Sequence, residues 1–309
     1  MLSAAVDSWL THFSARFSRT SAANREPGAL VFQQVQTPVG KVRLYDSSPN
    51  DLRKPCVVFV PDGPNIIEHH AALFELLTGR FRVVCFDMPG FGFSLPQTSY
   101  THSLDQGAAA VLGVLAALNI PRACLAFSCA NGFFALRAAR LAPQSIAGLI
   151  LTQTPALSAM TPWTKRVVIW PLRIPVVGQI FGWLTRQQLA RGWYRLALPR
   201  NFNATQFQAT AQVALRAGGC FCLSGLVQGL GREDGKSVSG VAVPCTLVWG
   251  DLDHSHKYTD PTSLLADVPH AEIIRFADCG HFSDLEQPQR YAELLTERVL
   301  RYSATSVTA

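Results

Sequence analysis

The chain has 309 residues, 48% of them apolar, enough for one large core with an inserted element and too apolar for a disordered protein. Its formal net charge of +6 is unevenly spread: between Asp105 and Glu233 there is no acidic residue but there are twelve Lys or Arg, which fits an anionic partner or a solvated basic face. No uncharged apolar run reaches the roughly 18 residues of a membrane span, since Val167–Leu184 is broken by Pro171, Arg173 and Pro175.

Val6, Leu10, Phe13 and Phe17 recur at helical spacing and predict an amphipathic helix over about residues 1–19, docked on the core. A targeting segment and a membrane-surface helix are its weaker alternatives. The N-terminus lacks the basic start and apolar core of a secretory peptide. Ala29–Thr37 and Lys41–Tyr45 read as strands joined by a turn at Pro38–Gly40, and Cys56–Val60 as a strand buried on both faces. The turn Pro61-Asp62-Gly63-Pro64 follows, then a helix near His69–Leu77 and a strand, Phe81–Phe86. Ala108–Leu118 reads as a helix, Ala123–Phe127 as a strand, Gly132–Leu141 as a helix and Ile146–Thr152 as a strand. From about Pro155 to Leu230 the pattern is helical, with tryptophans interleaved with Lys and Arg. Strands resume at Cys245–Trp249 and Glu272–Phe276, and the last helix spans Pro288–Tyr302.

Alternation of this kind predicts an α/β fold, a mostly parallel sheet covered by helices on both faces. The helical stretch divides the chain into a first core part (1–154), a cap or lid (155–232) and a second core part (233–309). Cys56, Cys85, Cys124 and Cys245 fall inside strand-like apolar runs, where cysteine behaves as a small buried hydrophobe, so a reduced, cytoplasmic setting is expected. Cys220 and Cys222 form C-x-C without a second ligand pair, and His254 and His256 lack ligands at metal spacing. Neither is read as a metal site.

Parallel sheets bind ligands beyond the carboxyl ends of their strands. At that edge the chain places Asp62 and Gly63, Ser128 and Cys129, Thr152–Thr154, Asp251 and Asp253, and His281. Nucleophile, carboxylate and histidine thus arrive in the order Ser/Cys…Asp…His.

Three motifs carry a resemblance: DMPGFGFS at 87–94, VPCTLVWGDLD at 243–253 and DCGHFSDLEQP at 278–288. On these the chain resembles the α/β-hydrolase superfamily, in its lid-bearing branch of esterases, epoxide hydrolases, haloalkane dehalogenases and carbon–carbon hydrolases. The resemblance implies that His281 is the general base and Asp253 the acid that orients it, with Asp251 the near competitor. An acid after the strand ending near Thr154 is excluded, because residues 106–232 hold no carboxylate.

The nucleophile departs from the family's Gly-x-Ser-x-Gly. Ungapped spacing from both sides puts Cys129 at the elbow, flanked two residues away by Phe127 and Asn131, neither small. A shift of one residue puts Ser128 there, flanked by Ala126 and Ala130. Cys129 is the expectation, Ser128 the alternative, and a pocket in which neither acts is the third reading. A thiolate beside His281 at a helix N-terminus is expected to have a lowered pKa. Gly63 and Ala130 would supply the oxyanion N–H groups, with Asp62 beside them as an opposing charge, an acid or a substrate contact.

Asp62, Phe127, Asn131, Trp163 and Trp170 are the expected substrate-binding residues, although cap tryptophans also serve simply to pack on a core. The resulting expectation is a hydrolase or acyltransferase, esterase- or thioesterase-like, acting on a small-molecule or carrier-bound acyl substrate through a Cys-His-Asp triad. It needs no cofactor and no metal. An anionic carrier at the basic lid is the special case, with membrane-surface contact a weaker one and nucleic acid excluded. The alternatives are acid–base lyase or cyclase chemistry and a binding protein of hydrolase fold.

Overall fold

The computed structural model describes residues 1–17, 30–51 and 53–304. Its main sheet contains β1 (Phe32–Thr37), β2 (Gly40–Asp46), β3 (Cys56–Val60), β4 (Arg82–Phe86), β5 (Ala123–Ser128), β6 (Ile146–Thr152), β7 (Cys245–Gly250) and β8 (Glu272–Phe276), in spatial order 1-2-4-3-5-6-7-8. β2 is antiparallel to both its neighbours, and β4, β3, β5, β6, β7 and β8 run parallel. Crossovers therefore bring the ends of β3, β5, β6, β7 and β8 to one edge.

β3 to β7 are buried at every position and mostly apolar, because both faces are covered. On β3, Val58 and Val60 pack with α3 (Leu104–Ala117) and α4 (Ala130–Leu141). Val57 and Phe59 pack on the other face, with α2 (Ala71–Leu77) and the closing helix α9 (Pro288–Ala304). The sheet is thus the middle of three layers.

Between β6 and β7 the chain leaves the sheet and forms α5 (Leu157–Val167), α6 (Val177–Ala197), α7 (Thr205–Arg216) and α8 (Leu223–Leu230). This insertion holds one strand-like element that its helical pattern did not predict: Cys220–Phe221 pairs antiparallel with Phe91–Gly92 of the core. The N-terminal helix α1 (Leu2–Ala15) lies against the insertion, where the Trp183 indole donates to Ser14 Oγ at 2.8 Å. It also reaches the core, through Ser8 Oγ donating to the Pro96 carbonyl at 3.1 Å.

The expected end of the first helix, residues 18–19, and Ala29 of the first expected strand lie outside the described residues. α3 begins at Leu104, four residues before the expected start, because the Ser103 hydroxyl accepts from the Gln106 N–H and caps the helix. All eight cysteines are unpaired and buried.

Candidate active site

β5 breaks into α4 at Cys129, whose backbone has φ 52° and ψ −124°. A non-glycine residue there is strained, and the turn persists because its surroundings hold it. The Cys129 N–H donates to the Thr152 carbonyl at 2.7 Å, and the Thr154 hydroxyl donates to the Cys129 carbonyl at 3.0 Å. The Asn131 amide donates to the Pro61 carbonyl at 3.2 Å, which ties the elbow to the turn carrying Asp62. Cys129 therefore occupies the apex, and Ser128 is the last residue of β5.

His281 arrives on the loop after β8. The Glu286 carboxylate accepts from the Gly280 N–H at 2.7 Å and the Phe282 N–H at 2.9 Å, which fixes the backbone on both sides of the histidine. The glutamate of the G-H-F-x-x-x-E pattern thus has a mechanical reason. His281 Nδ1 donates to Asp253 Oδ2 at 2.6 Å. Asp253 is held by the Gln153 amide at 2.7 Å on Oδ2 and the Ser255 N–H at 2.8 Å on Oδ1. Asp251 turns outward to Arg275, with 2.7 Å between Oδ1 and Nη2, and takes no part.

Asp62 points inward. Its Oδ2 lies 3.1 Å from His281 Nε2, so the imidazole is held between two carboxylates. Cys129 Sγ, Asp62 and His281 bring their reactive atoms within 4.8 Å of one another. Burial alone would raise the Asp253 carboxyl, but the charge and hydrogen bond of His281 outweigh it and hold the group at about 2. His281 is pushed well above its ordinary value: burial opposes the charge, but Asp253, Cys129 and Asp62 together favour it.

Asp62 is raised, chiefly by burial, against the pull of His281. The Cys129 thiol is also raised, by burial first and the Asp62 charge second. This corrects the expectation of a lowered thiol pKa: His281 does pull it down, but the dry site and a neighbouring carboxylate prevail.

Above these groups is a cavity of about 420 Å³ with an apolar lining. Cys129, Ala130, Asn131, Asp62 and Gly63 form its polar end, and Trp163 and Trp193 of the insertion lie across from them. Two expected substrate contacts fall elsewhere. Phe127 is fully buried beneath the elbow, 6.2 Å from the Phe86 ring, because its strand position faces the α3–α4 layer. Trp170 starts a short turn on the outside of the insertion and is 64% exposed.

Three residues at the site escaped the sequence reading. Gln153 has φ 49° and both holds Asp253 and accepts from the Gly250 N–H at 2.8 Å. Trp193 stands edge-on to His281 at 5.1 Å. His256, read as a loop histidine, is buried and stacks between Trp163 at 5.1 Å and His281 at 5.6 Å. Gln153 sits at the strand edge already singled out, but its residue type carries no signal. The other two have roles set by long-range packing.

The model of the Alpha/beta hydrolase family matches residues 57–294, and the chain belongs to that family. Among solved structures it is similar to epoxide hydrolase A from Mycobacterium thermoresistibile, at 14% identity and a TM-score of 0.73, covering 88% of this chain and 98% of that one. The enol-lactonase from Burkholderia xenovorans LB400 is similar at 16% identity and a TM-score of 0.69, covering 87% of this chain and 100% of that one. Haloalkane dehalogenase DbeA from Bradyrhizobium elkani USDA94 is similar at 15% identity and a TM-score of 0.68, covering 90% and 100%. At such identities the likeness concerns the fold. A comparison with curated protein sequences finds no match.

Proposed function

We propose that the protein hydrolyses an ester or thioester with a sizeable apolar part, with Cys129 as nucleophile. The observation carrying this reading is the strained apex at Cys129, with Sγ beside His281 and Asp62 at the polar end of the apolar cavity.

In the resting site, burial keeps the thiol protonated and His281 carries a proton between Asp253 and Asp62. The His281 proton passes from Nε2 to Asp62 along the 3.1 Å hydrogen bond between them. Neutral His281 then takes the thiol proton as Sγ bonds to the carbonyl carbon. The Asp62 hydroxyl and the N–H groups of Gly63 and Ala130 support the oxyanion. A carboxyl that would oppose that charge when ionised favours it when protonated. On collapse the C–O or C–S bond breaks and His281 gives its proton to the leaving group. Water, deprotonated by His281, then releases the acid from Cys129. The basic insertion supports an acyl group borne on an anionic carrier.

A second reading rests on the direct Asp62–His281 hydrogen bond. There the pair performs acid–base chemistry on a substrate that never bonds to Cys129.

Incubation with p-nitrophenyl esters and acyl thioesters, followed by mass spectrometry, separates them. An acyl adduct present in wild type and Ser128→Ala but absent in Cys129→Ala supports the nucleophile. Loss only in Ser128→Ala moves the role one residue. Turnover that survives Cys129→Ala but not Asp62→Asn supports the second reading. A protein that binds esters without turning any over is a binding protein of this fold.

A further inference from the structure

Away from that cavity, α1, the loop after β4 and the stretch leading into α8 meet at a second buried cluster. Asp7, His102 and Cys222 are all buried there, and their candidate ligand atoms lie within 4.8 Å of one another. His102 is 1% exposed and has φ 56°, yet neither of its ring nitrogens has a hydrogen-bond partner. A buried polar group left so costs about 1–3 kcal/mol.

The walls around the cluster are bare backbone. A Cβ at Gly225 would collide with Asp7 Oδ2 and come within 2.8 Å of His102 Nε2. One at Gly90, which has φ 87°, would come within 3.1 Å of His102 Cε1 and 3.2 Å of Cys222 Sγ. Cys220, two residues before Cys222, directs its thiol instead to the Gly92 carbonyl at 3.4 Å and the Ser94 carbonyl at 3.8 Å.

We propose that Asp7, His102 and Cys222 bind a zinc ion. The set supplies one carboxylate oxygen, one imidazole nitrogen and one sulfur, which suits zinc far better than magnesium or calcium. The C-x-C motif does not reveal such a site in the sequence, because the partners of Cys222 come from about 120 and 215 residues upstream in the chain. Outer contacts are present: Thr11 Oγ1 lies 3.4 Å from Cys222 Sγ, and the Gln179 amide donates to Asp7 Oδ2 at 3.3 Å.

Binding releases the Cys222 thiol proton, and the thiolate and the Asp7 carboxylate together match the two charges of the zinc ion. The metal would pin the N-terminal helix and the insertion to the core loop. It does not rest on the proposed hydrolysis.

The test is metal analysis of the full-length protein purified after growth with zinc. About one equivalent is expected. It is expected to be lost in Cys222→Ala and in His102→Gln, and kept in Cys245→Ala and Cys129→Ala. Titration of the metal-stripped wild type with cobalt, which needs no variant to fold, is expected to give thiolate-to-cobalt charge-transfer absorption. Wild-type protein without stoichiometric zinc and without that absorption overturns the proposal. So does zinc lost in Cys129→Ala and kept in Cys222→Ala, which would place the metal in the cavity described above.

Discussion

Asp251 and Asp253 are two residues apart, one on the surface with Arg275 and the other buried against His281. The buried one carries the pH dependence. Its pKa is about 2 in the folded chain and near 3.8 unfolded, so its contribution is complete above about pH 4 and lost as pH falls towards 2. That contribution is about 2 kcal/mol. Asp253→Asn is therefore expected to flatten the fall in stability between pH 4 and 2, as measured by urea midpoints. Arg43 presents the opposite case, a buried cation. It binds Asp87 at 2.8 Å and Glu68 at 2.7 and 2.8 Å, and its removal leaves the Asp87 carboxyl unpaired in the core. Arg43→Ala is expected to cost about 3–5 kcal/mol in a denaturant titration. The carboxylate and the imidazole of the site were legible because each sits in a spaced motif with its own backbone supports. Gln153 and His256 were not, because nothing in residue type or spacing marks a group whose partners lie on other strands.

At the scale of elements, strands were the most legible part of the chain. β3, β5 and β6 are apolar runs of strand length, with β5 and β6 closing on the hydroxyl residues Ser128 and Thr152, and burial on both faces demands that composition. Helix starts were less legible, since the beginning of α3 depends on a single hydroxyl. Ser103→Ala is expected to cost about 1 kcal/mol, read from the shift in urea midpoint. Packing of α3 on α4 is closer than propensity suggests, because a Cβ at Gly107 would run into the Phe134 ring. Gly107→Ala is therefore expected to destabilise by about 1–3 kcal/mol, although alanine is the better helix former. A neutral or stabilising result would show that the two helices separate at little cost. The elbow was legible in position but not in identity. Spacing located the turn, whereas the steric preference for small flanking residues pointed one position earlier.

For the whole molecule, the insertion is held to the core partly by neutral histidines. His69 Nδ1 accepts from the Ile66 N–H at 3.0 Å, and Nε2 donates to the Phe207 carbonyl of α7 at 3.1 Å. Burial lowers His69 to about 4 and His256, beneath Trp163 of α5, to about 3. Below the unfolded value near 6.5 the unfolded chain binds these protons and the folded chain does not, so stability falls with pH from about 6.5 downward. Trp163 and Trp193 fluorescence is expected to report loosening of the insertion at higher pH than circular dichroism of the sheet. Coincident curves would show that insertion and sheet melt together. Among the described residues no helix is long and apolar enough to cross a membrane.

The cysteines also supply an internal gauge of opening. All eight are buried, and burial pushes the Cys56, Cys124, Cys245 and Cys279 thiols up to about 12. A bulky alkylating dye should leave the native chain unlabelled, while a slender one that fits the cavity should find Cys129. The order in which mass tags accumulate would then time which part of the protein breathes first.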